Sequence, residues 1–291
     1  MGEAVATLSD PQAWLVVAAI GLAAGLLGGL LGVGGSTIVI PGLTIFLGPD
    51  QHLYQASAMW VNLVVAAAAI RAHRKAGVYR KRVLLWMGGA ACVCILGGVA
   101  LSNLPVFTRD GGARTLAKVF AVFQVYVAIV NAKKLARELH AARQRRKTQR
   151  AGGQAAEPEA AEPRLARWRC ASTGSAMGVV AGMLGIGGGA VAVPLQQVVM
   201  RLPLRACIAH SAAVMTVSAL VGATAKSLTL PSATQGRYDI GDALWLALLV
   251  SLGAVGAARV GAALTHRLPV PWVRGVFLVV LLWAAWKMWT L

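Results

Sequence analysis

The stretch GLLGGLLGVGGSTIVIP, residues 25–41, returns as GVVAGMLGIGGGAVAVP, residues 178–194, 153 positions later. Gly25, Gly29, Gly32, Gly34, Gly35 and Pro41 fall on Gly178, Gly182, Gly185, Gly187, Gly188 and Pro194, and Val33 falls on Ile186. A frame of glycines and one proline held over that distance makes the chain two copies of one unit. Such internal repeats decide an architecture before local assignments do. Each copy is an apolar run broken near its middle by G-x-G-G. In a membrane protein, glycine-interrupted segments at matching places in two halves point to a carrier's binding site.

The composition places the chain in a membrane. Of 291 residues, 57% are hydrophobic and only 13% are charged, with mean hydropathy +0.66; soluble domains carry about 25% charged residues. Residues 1–13 hold Glu3 and Asp10 but no Lys or Arg. They lack the positive region of a cleaved signal, so the run from Trp14 reads as the first membrane segment. The net charge of +18 would suggest nucleic acid in a soluble protein. Here the basic residues sit in loops with no recognition motif beside them, and nucleic acid is not an expected partner; the lipid bilayer is. Cys92, Cys94, Cys170 and Cys207 form no C-x-x-C pair and read as small packing hydrophobes. No His, Cys and carboxylate cluster has metal-ligand spacing. The chain calls for no metal and no other cofactor, and with ten acidic residues, most of them in loops or the linker, a paired-carboxylate enzyme site has little to draw on.

Apolar runs occupy 14–31, 36–47, 55–70, 83–101 and 116–135, then 168–184, 189–199, 206–228, 240–264 and 273–288. Gly21, Gly25 and Gly29 share one helix face, where small residues let a neighbour approach. The run 36–47 has 12 residues, about 18 Å of helix, against a hydrocarbon core of about 30 Å. It spans only if part of the glycine turn lies within the membrane, where irregular backbone needs cover from protein or a water-filled cavity. Pro41 predicts a kink. Beyond the breaks, Gly89 and Gly97 pair with Gly253 and Gly261, and Pro105 with Pro269, at an offset of 164. The domain reading is a first membrane repeat over 1–135, a cytoplasmic basic and disordered linker over 136–167, and a second membrane repeat over 168–291. The linker composition, basic and then rich in Ala, Glu and Pro, buries no core.

Charge sets orientation. With the N-terminus outside, loops 71–82, 133–169, 200–207 and 265–274 are cytoplasmic and hold 6, 11, 2 and 2 Lys/Arg. The outer loops 48–54, 102–118 and 227–239 hold 0, 3 and 1. That asymmetry follows the positive-inside rule. The fold class expected is an all-α integral membrane protein of about ten transmembrane segments in two inverted repeats, each with a glycine-broken helix pair.

The breaks define the candidate site. Helices starting near Ser36 and Gly189 present unpaired N–H groups, and helix N-termini bind anions. Glycine lets a ligand reach the main chain. The substrate-binding candidates are Gly32, Gly34, Gly35, Ser36 and Thr37 in the first break and Gly185, Gly187, Gly188 and Gly189 in the second, with Ser57, Asn62, His210 and Ser211 on neighbouring helices. His210 reads either as a proton-coupling group within the membrane or, by its place near the inner interface, as a side chain facing headgroups; the second reading is preferred. Lys226 and Arg259, near span ends, read as snorkelling.

The two glycine motifs, with the small-residue helices QASAMWVNL and IAHSAAVMTV after them and the later GDALWLALLVSLGAVGAARVGAALTHRLP, resemble the sulfite exporter TauE/SafE family of membrane transporters. The resemblance covers nearly everything except 136–167. It implies a permease of the bacterial inner membrane that moves sulfur-containing anions such as sulfite or an organosulfonate, usually outward; the paired breaks suggest alternating access around them, and the want of a catalytic constellation argues against an enzyme. The alternative is a membrane scaffold or sensor that holds a partner through the basic linker.

Overall fold

The computed structural model describes residues 11–32, 34–74, 79–109, 111–150, 165–264 and 270–290. Among them are eleven helices and no strand: α1 (Pro11–Leu31), α2 (Ser36–Leu47), α3 (Gln51–Arg74), α4 (Lys81–Ser102), α5 (Pro105–Thr108), α6 (Gly112–Arg150), α7 (Arg167–Leu184), α8 (Gly189–Val199), α9 (Leu204–Ala233), α10 (Ile240–Leu264) and α11 (Val270–Thr290). Six are long and apolar enough to cross a membrane: α1, α3 over Gln51–Ile70, α4, α6 over Gly112–Arg137, α9 and α10. α2, α8 and Gly275–Thr290 of α11 are shorter apolar helices.

Burial sorts these helices into centre and periphery. Inside the bundle lie 67% of the apolar stretch of α3 and 72% of that of α9, against 39% for α4, α6 and α10. On the peripheral helices Leu15, Leu85, Val93, Leu252 and Val279 are 69% to 75% exposed. Water penalises so much outward apolar surface, whereas lipid accepts it.

Glycine faces set the closest contacts, and they join one half to the other. A Cβ on Gly21, Gly25 or Gly29 of α1 would lie 2.0, 2.3 or 2.4 Å from the carbonyl oxygens of Val250, Ala254 and Ala258 in α10. A Cβ on the 153-residue counterparts Gly174, Gly178 and Gly182 of α7 would lie 2.2, 2.5 and 2.1 Å from the carbonyl oxygens of Met87, Ala91 and Ile95 in α4. Partner numbers rise together, so both pairs run parallel. The other packing repeats likewise with the halves exchanged: α3 on α10 as α9 on α4, α2 on α3 as α8 on α9.

This register corrects the offset of 164. The α4 partners sit 163 residues before the α10 partners, as Met87 and Val250 do. Gly89 and Gly97 face open space, while Gly253 and Gly261 press on the carbonyls of Ala18 and Leu26. The true counterpart of Gly261 is Gly98, where an added Cβ would lie 2.2 Å from the Val179 carbonyl. A slip of one residue turns a helix face by about 100°, which carries Gly97 out of the contact. Pro269 lies outside the described residues.

Each broken segment folds back as a hairpin. Gly35 sits beside Ala24, and Gly42 beside Ile20. In the second half Gly188 abuts Met177, and Arg169 at the start of α7 donates to the Val199 carbonyl at the end of α8 (2.9 Å). α2 runs through Pro41 without interruption. Proline lacks the N–H that would reach the Thr37 carbonyl. That carbonyl accepts instead from Gln124 Nε2 of α6 at 2.9 Å, which explains a buried glutamine in an apolar helix. α6 itself continues as one helix to Arg150, α7 begins at Arg167, and 151–164 lie outside the described residues.

Candidate functional site

The two breaks meet at the centre of the bundle. Gly32 and Gly34 have φ of 65° and 87°, and Gly185, Gly187 and Gly188 have 73°, 65° and 80°. A side chain in that left-handed region costs about 1–2 kcal/mol, so the backbone itself demands the motif. Gly32 packs on Ile208 of α9 and Gly185 on Gln55 of α3, which are repeat counterparts. Gly34 and Gly187 close on the same pair of side chains, Asn62 of α3 and Met215 of α9, also counterparts. A Cβ on Gly34 would lie 3.1 Å from Asn62 Oδ1, 3.2 Å from Met215 Sδ and 3.3 Å from the Ile186 carbonyl. On Gly187 it would lie 2.7 Å from Asn62 Nδ2 and 2.9 Å from Met215 Sδ.

One amide therefore stands between the two breaks. Asn62 Oδ1 accepts the Ser36 N–H at 3.2 Å and so caps the start of α2. Because that N–H can only donate, the amide's orientation is fixed chemically. Asn62 Nδ2 then points towards Gly187. It is fully buried and has no hydrogen-bond acceptor among the described residues. Among the described residues no side chain caps the start of α8 as Asn62 caps α2, and the counterpart of Asn62 there is Met215, whose thioether is a weak acceptor. The junction thus presents an unpartnered amide N–H₂ beside the positive end of a helix dipole.

The sulfite exporter TauE/SafE family model matches residues 17–288, both breaks included. The chain belongs to this family. Two relatives carry the name "Probable membrane transporter protein MamO". The one from Paramagnetospirillum magneticum is 27% identical over 294 residues, covering 93% of this chain and 44% of its own length. The one from Magnetospirillum gryphiswaldense is 27% identical over 292 residues, with the same 93% and 44%. The chain thus spans less than half the length of these relatives. No solved structure matches it. With its apolar helices, this TauE/SafE family member is a multi-pass, all-helical membrane protein.

The remaining residues singled out in this TauE/SafE chain fall into three groups. At the breaks, Ser211 Oγ donates to the Gly32 carbonyl (3.2 Å) and Thr37 Oγ1 to the Gly34 carbonyl (3.3 Å). Ser36 Oγ is buried with no partner among the described residues, and Gly35 and Gly189 flank the helix starts. Ser57 turns into its own helix, donating to the Leu53 carbonyl at 2.9 Å. His210 belongs to the connection after α3: its Nε2 accepts the Arg80 N–H at 2.9 Å and its ring stands edge-on to Tyr79 at 6.2 Å. It is fully buried, which overturns the reading that it faces headgroups; Tyr79 and Arg80 fold over it.

Lys226 also departs from its reading. α9 extends past the expected end at Leu228 to Ala233, through Pro231. Lys226 is therefore inside the helix, 4% exposed, and its Nζ donates to Gln55 Oε1 and, at 2.8 Å, to Ser102 Oγ. It does not snorkel. Arg259 is exposed on α10. Near Lys226 a cavity of about 540 Å³ opens at one end of the bundle, lined by Asp50, His52, Arg109, Arg114, Arg237 and Tyr238 among others. Asp50 holds Arg237 at 3.6 Å and accepts from Tyr238 at 2.7 Å.

Proposed function

We propose that the protein is a carrier for a small oxyanion of the sulfite or organosulfonate class, moving it outward by alternating access around the two facing breaks. The observation that carries this is Asn62: a buried amide shared by both breaks, its acceptor side spent on α2 and its donor side open towards the uncapped α8. A carboxylate or oxyanion supplies what that arrangement lacks. The family's description and the MamO relatives' printed name support a transporter.

Ten segments in two inverted repeats, 1–135 and 168–291 with 136–167 between, fit this reading. Each half has an odd number of segments. Residues from the loops 48–54, 102–118 and 227–239, those that charge assigns to the outside, line one cavity. The contacts Arg80–His210 and Arg169–Val199 lie at connections assigned to the inside. We place the chain in a bacterial inner membrane with its N-terminus outside.

A ligand that binds the folded state raises its melting temperature by mass action. The test is a thermal-shift screen of detergent-purified protein against sulfite, sulfate, thiosulfate, sulfoacetate and carboxylates. A shift with a sulfur oxyanion, absent in Asn62→Leu, is expected. Equal shifts in wild type and Asn62→Leu would remove the breaks from the site.

A second reading, a scaffold that recruits a partner through its basic linker, draws on the continuation of α6 to Arg150, well past the end of its apolar stretch at Arg137.

A further inference from the structure

We propose that Lys226 is a cationic subsite of the anion path, taking a small oxyanion between the end cavity and the second break. This rests on the carrier reading and places the charge that the main-chain junction lacks.

The first ground is Lys226's isolation. Burying an ammonium is costly unless a counter-charge meets it, and among the described residues no carboxylate stands beside Lys226. The ion pair described there, Arg237 with Asp50, is at the cavity. Lys226 is held by two neutral oxygens, Gln55 Oε1 and Ser102 Oγ. An ammonium has three donors, so one hydrogen remains unassigned. Gln55 Nε2, on the same amide that receives Lys226, is buried without a partner among the described residues. Two open donors and a positive charge are the complement of an oxyanion.

The second ground is position. Gln55 links Lys226 to the second break: a Cβ on Gly185 would lie 2.6 Å from Gln55 Cβ and 2.8 Å from its Cα. On the other side, His52, one helical turn before Gln55 on α3, lines the cavity and meets the Phe107 carbonyl through its Nε2 at 3.0 Å. The cavity wall carries Arg109, Arg114 and Arg237 against one carboxylate, Asp50, among its described lining residues. Such a basic mouth with low-dielectric walls concentrates anions. Cavity, His52, Gln55 with its Lys226, and Gly185 thus follow one another from the bundle end to the break.

A purely structural role, with Lys226 stapling α3, α4 and α9, makes a different prediction. In Gln55→Glu a carboxylate of nearly the same shape is placed against the ammonium. It strengthens a staple, but it fills an anion subsite from within. The experiment measures sulfite and sulfate binding to purified full-length wild type, Lys226→Gln and Gln55→Glu by calorimetry, with the ligand-free melting temperature of each. The expected result is a loss of affinity of about tenfold or more in both variants, the scale of one charged hydrogen bond, with no fall in melting temperature for Gln55→Glu. Wild-type affinity in Gln55→Glu overturns the subsite and leaves the carrier reading intact. No binding of either anion to wild type overturns both. Should Lys226→Gln fail to fold, Gln55→Glu decides alone.

Discussion

The first and second breaks share left-handed glycines at two matching places, Gly32 with Gly185 and Gly34 with Gly187, and differ at the third glycine and in what lines the turn. At the first, Ser36 and Thr37 follow the glycines, Gly35 is an ordinary right-handed residue with φ of −73°, and Asn62 caps the helix that begins there. At the second, Gly189 and Ala190 follow, Gly188 is left-handed at φ 80°, and the helix start faces Met215 where the first half has Asn62. The repeat keeps the turn and divides the chemistry. One half supplies the amide and satisfies its own helix with it; the other leaves its helix dipole open. A single side chain on the first half thereby serves the second, so the site belongs to neither half alone.

The most severe way to break this comparison is to fill the junction. Gly34→Leu and Gly187→Leu each force a side chain into left-handed backbone, at about 1–2 kcal/mol before any clash with Asn62 and Met215. Both are expected to abolish sulfite transport in proteoliposomes while the protein still inserts in the membrane. Normal transport by both would remove the breaks from the path.

Next comes the exchange of counterparts. Asn62→Leu strips the cap from Ser36 and the donor from the junction, with an expected loss of about 1–3 kcal/mol of stability and of anion-dependent thermal shift. Met215→Leu conserves volume and is expected to cost less than about 1.5 kcal/mol with the shift retained. If the two mutants behave alike in denaturant titrations with and without sulfite, the asymmetry is only apparent.

A milder probe separates support from site. Gln124→Leu leaves the Thr37 carbonyl without its partner, and a lower melting temperature equivalent to about 1 kcal/mol is expected, with sulfite affinity unchanged. The smallest effect is expected from deleting 138–165: a carrier keeps anion binding and transport, whereas lost function with intact binding favours the scaffold.

Much of this junction was legible in the sequence because its cause is local. Left-handed turns favour glycine strongly, so the 153-residue frame picked out the residues that meet, and Asn62 stood out as a polar residue in an apolar run. What stayed hidden depended on register and on distant partners. The chain offers adjacent glycines at 88–89 and 97–98; matching by identity chose Gly89 and Gly97, whereas packing uses Gly98. Lys226 sat near an apparent span end only because Ser232 and Pro231 mimic a boundary that α9 passes through. Its partners Gln55 and Ser102 lie on helices 171 and 124 residues away. The cover over His210 comes from Tyr79 and Arg80, far from it in the chain, and no spacing rule reaches that far.

The glycine faces carry a consequence for how the protein is made. α1 docks on α10, and α7 on α4, so each broken hairpin finds its tightest neighbour in the opposite half. When the ribosome has released only the first half, the grooves of α1 and α4 have nothing to close them. They lack their partners until residues beyond 167 arrive. Two fragments cut between 151 and 164 should therefore accumulate only when made together, each acting as the other's chaperone.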